Sequence, residues 1–337
     1  MLSMLGSIYG KVIGVRNRLY DRGVFETFDL GARTISIGNI TAGGTGKTPL
    51  VAYVAALLAA RGETVCILTR GYGRKDPKKR VLVSDGDQVL APAEDSGDEP
   101  FELAQKLIGR AIVIADADRV AAAEWAKRKF GVTAFVLDDG FQHRRAGRDV
   151  DIVCIDATEP FGGGQMLPAG RLREPLAGLS RADVIIITRA DLVGDISNLR
   201  SEISDLNGVA AVFAARNEVV RVIPIEEFHA KTRRSQREEK IGKAFAFCGI
   251  GNPENFFGLL RLGGYQITAT KAFRDHHIYE QQDLAEIEKL ARYSGAAVLL
   301  TTAKDAVKLS ELIFDIPCSV VEIEVTLYDA DAFAALL

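Results

Sequence analysis

Ile35-Ser36-Ile37-Gly38-Asn39-Ile40-Thr41-Ala42-Gly43-Gly44-Thr45-Gly46-Lys47-Thr48-Pro49 decides how this chain is read. An apolar, β-branched run at 34–37 enters a glycine-rich turn, and an apolar helical pattern follows at 50–60. Strand, glycine turn, Lys-Thr and helix in this order are what a phosphate-binding P-loop needs. The glycines let backbone N–H groups converge on phosphate oxygens, and the positive end of the new helix points at the same place. Thr41, Ala42, Gly43, Gly44, Thr45, Gly46, Lys47 and Thr48 are therefore the expected nucleotide cradle. Lys47 would reach the β- and γ-phosphates, and the Thr48 hydroxyl would sit on Mg2+. Thr41 stands where the usual spacing has its first glycine, and Pro49 falls in the first helical turn, where proline is tolerated.

Downstream, further strands end in polar loops. Val65–Thr69 runs into Arg70-Gly71-Tyr72-Gly73-Arg74, a glycine-bent cationic loop that suits an anion. A short strand at 81–84 leads to Asp95-Ser96-Gly97-Asp98-Glu99-Pro100 and a helix at 101–108, for which Asp98 and Glu99 would also serve as N-terminal charges. A strand at 111–115 precedes Asp118-Arg119 and a helix ending near 130. The run at 134–137 then enters Asp138-Asp139-Gly140-Phe141-Gln142-His143. Apolar residues running into aspartates at a strand end are what a Walker-B-type magnesium site requires, with one or two carboxylates on the ion. A strand at 151–156 is followed by a glycine- and proline-rich loop carrying Arg171, Arg173 and Glu174. Val184–Thr188 ends in Thr188-Arg189-Ala190-Asp191, which is similar to the base-reading motif of GTP-binding proteins with arginine in place of lysine.

Strand and helix alternate throughout this half, which predicts a mostly parallel sheet with helices on both faces. Ligands bind at the C-terminal ends of such strands, so the P-loop, the Arg70 loop, the Asp138-Asp139 pair and the 171–174 loop are expected on one rim.

Composition bounds the rest. At 337 residues the chain is long enough for two domains, and 47% hydrophobic residues with a net charge of −3 mark it as globular. There is no excess of basic charge, so no nucleic-acid partner is expected. Cys66, Cys154, Cys248 and Cys318 are scattered through apolar runs and read as reduced core residues. No apolar run is long enough to cross a bilayer.

The first 22 residues carry a helical pattern in which Leu2, Leu5, Ile8, Tyr9, Val12, Ile13, Leu19 and Tyr20 share one broad face. Lys11, Arg18 and Arg22 flank it, and Arg16 falls inside it. No basic segment precedes the apolar residues and no small-residue cleavage site follows, so this is not read as a secretory signal. Two readings stand: an interfacial helix on an anionic membrane surface, or a first helix packed on the core.

A second unit is expected after about residue 215. An extended connector at 219–223 and a charge-dense stretch at 231–243 lead to the strand Ala244–Cys248 and the turn Gly249-Ile250-Gly251-Asn252-Pro253. Two more βα units follow around 266–272 and 297–302, and 320–325 reads as a returning connector strand. Asp275-His276-His277 is the most chemical loop of this half, and Thr301-Thr302-Ala303-Lys304-Asp305 is its polar strand end. Adjacent histidines rarely point at one atom, so at most one is expected to touch a reacting group.

Taken together the motifs resemble the tetraacyldisaccharide 4′-kinase family. The likeness rests on Gly38-Asn39 through Gly43-Gly44-Thr45-Gly46-Lys47-Thr48-Pro49, Arg70-Gly71-Tyr72-Gly73-Arg74, Gly97-Asp98-Glu99-Pro100, Asp138-Asp139-Gly140-Phe141-Gln142-His143, Leu172-Arg173-Glu174-Pro175 and Asp275-His276-His277, in the expected order. The absent first P-loop glycine is similar to what this family shows. The resemblance implies a P-loop NTPase-like α/β/α sandwich with a second, smaller α/β/α lobe joined by a two-stranded hinge. It divides the chain into an amphipathic helix at 1–24, a kinase core at 25–215 and a second lobe with hinge strands at 216–325.

It further implies ATP and Mg2+ as cofactors, and transfer of the γ-phosphate to the 4′-hydroxyl of a tetraacyl disaccharide 1-phosphate, giving lipid IVA. The acylated substrate shifts the N-terminal helix towards membrane contact, on the cytoplasmic face of the bacterial inner membrane, with no obligate protein partner. By resemblance Asp98 working with His276 is the general base, and Lys47, Asp138 and Asp139 complete the catalytic set. Thr48, Asp138, Asp139 and Glu174 are the expected metal ligands. Asn39, Arg70, Arg74, Arg119, Gln142, His143, Arg171 and Arg173 are candidates for the lipid head group or phosphate. The alternative is a P-loop GTPase or metal-chaperone NTPase acting on a protein partner. Thr188 to Asp191 favours it, and the lack of an Asp-x-x-Gly switch near Asp138 speaks against it.

Overall fold

The computed structural model describes residues 2–229 and 241–337, so most of the charge-dense 231–243 stretch lies outside the described residues. The chain separates into two compact units, Met1–Arg216 with Val325–Leu337, and Asn217–Glu324.

The first unit begins with α1 (Leu2–Asp21) and β1 (Arg33–Gly38), then α2 (Lys47–Ala60), β2 (Val65–Thr69) and β3 (Val81–Ser84). Next come α3 (Ala93–Ser96), α4 (Asp98–Lys106), β4 (Ala111–Ala115), α5 (Arg119–Phe130) and β5 (Ala134–Asp138). β6 (Val150–Asp156), β7 (Val184–Thr188), α6 (Ser197–Leu206) and β8 (Ala211–Pro224) follow, and β8 carries the chain into the second unit. The strand order is β8-β7-β6-β1-β5-β2-β4-β3. All pairings are parallel except that of β3 with β4, which is antiparallel at the edge.

The central strands are mostly apolar and buried at nearly every position because both faces of a parallel sheet are covered. Side chains alternate between those faces. Ile35, Ile37, Val65, Ile67, Val136 and Cys154 pack with Leu50, Val54 and Leu58 of α2 and Leu103 of α4. On the other face Cys66, Leu68, Ile114, Phe135 and Leu137 pack with Ala122, Ala123 and Ala126 of α5. Beside them, Val153, Ile155, Ile185 and Ile187 pack with Leu199 and Ile203 of α6.

The second unit contains α7 (Ile225–His229), β9 (Ala244–Cys248), α8 (Pro253–Leu262), β10 (Ile267–Ala272), α9 (Gln281–Ser294), β11 (Val298–Thr302), α10 (Ala303–Ala306) and β12 (Cys318–Leu327). Its parallel sheet runs β10-β9-β11-β12. Leu284, Ile287 and Ala291 of α9 cover one face, and Phe256, Phe257 and Leu260 of α8 cover the other. β12 returns the chain to the first unit, where α11 (Ala330–Leu336) seats Phe333 edge-on against Phe213, with ring centroids 5.6 Å apart.

This is the expected α/β architecture with a smaller second lobe, and the four cysteines are buried and unpaired, as their apolar settings predict. The strand register fixes the functional rim of the first unit. Ile37 pairs with Asp138, and Leu68 pairs with Leu137, so β1, β5 and β2 end at one level.

Candidate active site

Gly46 takes a left-handed conformation (φ 77°) and hands the chain to α2, whose first residue is Lys47. A side chain is disfavoured there, which is why glycine sits before the lysine. The loop is braced from three sides. Asn39, fully buried, donates through its amide to the Thr41 carbonyl at 2.8 Å and to Thr45 Oγ1 at 2.9 Å. Arg171 donates from Nε to the Ala42 carbonyl at 2.8 Å and pairs with Glu159. Thr188 Oγ1 donates to the Thr45 carbonyl at 2.9 Å, and Arg189 donates to the Gly44 carbonyl at 2.9 Å while pairing with Asp156. The amides of residues 43–46 have no hydrogen-bond acceptor among the described residues, leaving a cradle for an anion.

The Asp138-Asp139 turn crosses the end of β1. A Cβ on Gly140 would lie 2.6 Å from Ser36 Oγ, and one on Gly38 would lie 2.5 Å from Phe141 Cβ, so this crossing admits only glycine. Asp139 is left-handed (φ 50°), a costly conformation for a residue with a side chain and one that clusters at functional sites. Its carboxylate accepts both arms of Arg173, at 2.6 and 2.9 Å, and lies 3.6 Å from Lys47 Nζ. Burial opposes its ionisation, but Lys47, Arg173 and Arg119 outweigh it and hold its pKa at about 2. Asp138 is buried, accepts from Thr69 Oγ1 at 2.9 Å, and is pushed up to about 6 by burial and by the carboxylates of Glu99 and Asp139. Two neighbouring aspartates are thus driven in opposite directions, as at many catalytic centres.

Glu99 and Asp98 open α4. The preceding Gly97 lies so close to the Arg70 loop that a Cβ would stand 2.6 Å from the Tyr72 carbonyl. Asp98 is therefore on the same rim as the P-loop.

A cavity of about 240 Å³ borders Asp139 and is lined by Arg16, Arg70, Arg119 and Arg173 with Tyr72, Gln142 and His143. Four guanidinium groups around one carboxylate make a site for an anion. His143 is kept neutral there, its pKa lowered to about 3 by burial and by Arg119 and Arg148.

Arg16, which falls inside the apolar face of α1, is a wall of this cavity, and its guanidinium donates to the Gln142 carbonyl at 2.5 Å. Two further α1 residues reach the same rim: Tyr9 donates to the Arg173 carbonyl at 3.1 Å, and Asn17 donates to Glu174 at 3.1 Å. Motif reading missed all three, and the misfit of Arg16 was the available signal. The broad apolar face is also divided. Tyr9, Ile13 and Tyr20 are half-buried, whereas Leu2, Met4, Leu5, Ile8, Val12 and Val15 are exposed.

Several expected substrate or metal residues are placed otherwise. Asn39 and Arg171 brace the P-loop, as described above. Arg74 is buried and donates to the carbonyls of Ala115 and Pro77 at 2.7 and 2.6 Å, so it folds its own loop. Glu174, expected on a metal, is buried and accepts from Asn17, Gln142 and Arg181 at 3.1, 2.8 and 2.9 Å. Its carboxylate thus holds the Gln142 amide beside the cavity. The Thr188-Arg189 pair likewise supports the P-loop, through the Thr45 and Gly44 carbonyls.

In the second unit the adjacent histidines differ. His277 stacks on Phe273 at 4.5 Å between centroids, and its Nε2–H donates to Asp283 Oδ2 at 3.0 Å. His276 is left-handed (φ 59°), its side chain is 43% exposed, and its Nε2 lies 3.4 Å from Lys304 Nζ. His277 is therefore an anchor and His276 is the presented group.

A comparison with known proteins decides between the two readings. A family profile described as tetraacyldisaccharide-1-P 4′-kinase, LpxK, matches residues 1–337. The chain belongs to this family. It is an ATP-dependent 4′-kinase of lipid A biosynthesis, a phosphotransferase with an alcohol acceptor, and the GTPase alternative is not favoured. A tetraacyldisaccharide 4′-kinase of Halothermothrix orenii is 39% identical, over 92% of this chain and 83% of its own. One of Geobacter metallireducens is 39% identical, over 93% of this chain and 89% of its own. The crystal structure of LpxK from Aquifex aeolicus in complex with ATP is similar with a TM-score of 0.77 at 29% identity, over 98% of this chain and 96% of that one. No helix among the described residues of the kinase is long and apolar enough to cross a membrane.

Proposed function

We propose that the rim of the first unit transfers the γ-phosphoryl of ATP to the 4′-hydroxyl of a tetraacyl disaccharide 1-phosphate, giving lipid IVA. The observation that carries this reading is the P-loop facing an acidic pair, with an arginine-lined cavity beside it. Residues 41–48 hold the nucleotide phosphates, and Lys47 exchanges Asp139 for the β- and γ-phosphates.

Thr48, Asp138 and Asp139 would hold Mg2+. The donor set is all oxygen, and the crowding that raises Asp138 is what a divalent cation relieves. Among the described residues no group of three or more His, Cys, Asp or Glu is arranged to hold a metal alone. That suits Mg2+, which is commonly bound through one or two carboxylates with phosphate and water completing its shell. When bound, the ion supplies positive charge to the transferring phosphoryl group.

A sugar hydroxyl must lose its proton as it attacks, which calls for a general base. Asp98 and His276 are the proposed acid–base groups. The lipid's anionic head group is proposed to contact Arg16, Arg70, Arg119, Gln142, His143 and Arg173. The exposed apolar row of α1, with Lys11, Arg18 and Arg22 also exposed, is proposed to lie on an anionic membrane surface. ATP is available on the cytoplasmic face of the inner membrane, and the reaction needs no protein partner.

Transfer of γ-labelled phosphate from ATP to the lipid acceptor in mixed micelles tests the reading. Wild type yields labelled lipid, and Lys47→Ala yields none. Asp98→Ala and His276→Ala each lose most turnover while still binding ATP. Phosphate release favoured by GTP, with no labelled lipid, overturns the reading. Near-normal turnover in both Asp98→Ala and His276→Ala overturns the acid–base assignment.

A further inference from the structure

The strand end Thr301-Thr302-Ala303-Lys304-Asp305 has no part in the mechanism above, yet it holds the loop that presents His276. His276 sits at φ 59°, a conformation that persists in a residue with a side chain only where its surroundings enforce it. Its N–H donates to the Gly249 carbonyl at 3.1 Å and to Asp275 Oδ1 at 3.1 Å. Both of those partners are in turn held by the dipeptide Lys304-Asp305.

Asp305 acts from the interior. It is fully buried, and its Oδ1 accepts from the Gly249 N–H at 3.0 Å and from the Tyr279 hydroxyl at 3.0 Å. Gly249 precedes the His276 loop in space and Tyr279 follows it in sequence, so one carboxylate oxygen ties both flanks of the loop. The other oxygen accepts from Thr302 Oγ1 at 2.7 Å. Gly249 has little freedom to move: a Cβ there would stand 3.1 Å from His277 Cβ and 3.2 Å from the Arg274 carbonyl. Lys304 acts from the outside. Its Nζ lies 3.1 Å from Asp275 Oδ1 and 3.4 Å from His276 Nε2, with the side chain only 15% exposed.

A plainer account makes Asp305 the capping partner of Thr302 on α10. That explains the Thr302 contact but not Oδ1, which serves two other segments, and a four-residue helix does not require a fully buried carboxylate.

We propose that Lys304 and Asp305 are positioning residues for His276, setting its backbone conformation and the orientation of its ring. This rests on the reading of His276 as an acid–base group. Because they act through His276, they govern turnover and not nucleotide binding.

The test is a double-mutant cycle in the full-length enzyme. Lys304→Met is expected to lower kcat about tenfold, in line with the cost of misplacing a reacting group, while KM for ATP stays within about twofold. In a His276→Ala background the same substitution has no further effect on kcat. Asp305→Asn is expected to behave likewise, with melting curves recorded for each variant. If Asp305→Asn does not fold, Lys304→Met carries the test alone. An equal kcat loss from Lys304→Met with and without His276 overturns the proposal, as does a loss confined to KM for ATP. Near-normal turnover of His276→Ala itself would instead overturn the acid–base reading, and with it this inference.

Discussion

Asn39→Ala separates a loop brace from a substrate contact. The side chain is fully buried, and the substitution removes donors to the Thr41 carbonyl at 2.8 Å and to Thr45 Oγ1 at 2.9 Å. It also removes an acceptor 3.2 Å from Arg173. Thr41 and Thr45 are themselves buried, so water does not replace the lost partners. At roughly 1 kcal/mol for each of the two buried bonds to Thr41 and Thr45, and up to about 1 kcal/mol for the unfilled space, the fold loses about 2–3 kcal/mol. For a domain of roughly 150–250 residues that lowers the melting midpoint by about 4–12 °C. The functional effect should fall on ATP, because the carbonyls that Asn39 fixes belong to the phosphate cradle. A tenfold weaker affinity corresponds to about 1.4 kcal/mol of lost preorganisation. Calorimetric titration with ATP, scanning calorimetry and steady-state kinetics at varied lipid concentration measure the three quantities. Weakened ATP binding with unchanged KM for the lipid is expected. Unchanged ATP affinity with a raised lipid KM would refute the reasoning and return Asn39 to the substrate site. Asn39→Asp is a sharper variant, since a carboxylate keeps the shape but cannot donate to Thr41.

Asp138→Asn and Asp139→Asn should move stability in opposite directions at pH 8. The folded pKa of Asp138, about 6, lies above its unfolded value near 3.8, so its favourable contribution is present below 3.8 and lost as pH rises through 6. Asp138→Asn therefore raises the melting midpoint at pH 8, the gap closing towards pH 4, and it abolishes turnover. The folded pKa of Asp139, about 2, lies below 3.8, so its contribution is present above 3.8 and lost as pH falls towards 2. Asp139→Asn lowers the midpoint at pH 8, and two shifts of the same sign would sink the argument. In the second unit, His277→Ala loses the Phe273 stack and the Asp283 contact and should cost about 1–3 kcal/mol of stability. His276→Ala should leave the melting curve nearly unchanged, and a reversed order in the two melts would contradict the assignment of anchor and presented group. Replacing exposed Ile8 and Val12 together by Glu should abolish flotation with anionic vesicles and leave turnover in dispersed micelles within about twofold. Retained flotation would remove α1 from the membrane surface.

The parallel sheet was legible because five-residue apolar runs such as Val65–Thr69, Ala111–Ala115 and Val184–Thr188 are buried on both faces and need no partner to be recognised. The rim was legible for the same reason: polar motifs that follow such runs must emerge on one edge. Burial of individual polar side chains was not legible. Asn39, Arg74 and Glu174 sit in polar motifs, and a motif does not reveal whether its side chain turns outward to a ligand or inward to a carbonyl. Glu174 turns inward because Arg181, seven residues on, is delivered beside it by the following turn. The return of the chain through β12 to seat Phe333 beside Phe213 depends on topology, which no local pattern carries.

Helix α1 shows why a helical wheel alone cannot assign a face. Its apolar residues span an arc wide enough to meet two environments, and the polar residues on the inner side decide which part faces the fold. Arg144 donates to the Asn17 carbonyl at 2.8 Å and pairs with Asp21 at 2.8 Å, fixing the rotation of the helix. That rotation sends Arg16 into the anion cavity and leaves Ile8, Val12 and Val15 on the outside. Tyr9 then contacts the backbone of Arg173, the residue whose guanidinium holds Asp139 beside Lys47. A surface suited to a bilayer and a cavity suited to a phosphate are therefore opposite sides of one rigid element. A lipid drawn to the outer side has its charged end next to the inner one, so the helix that would gather the substrate also forms part of the wall that would receive it.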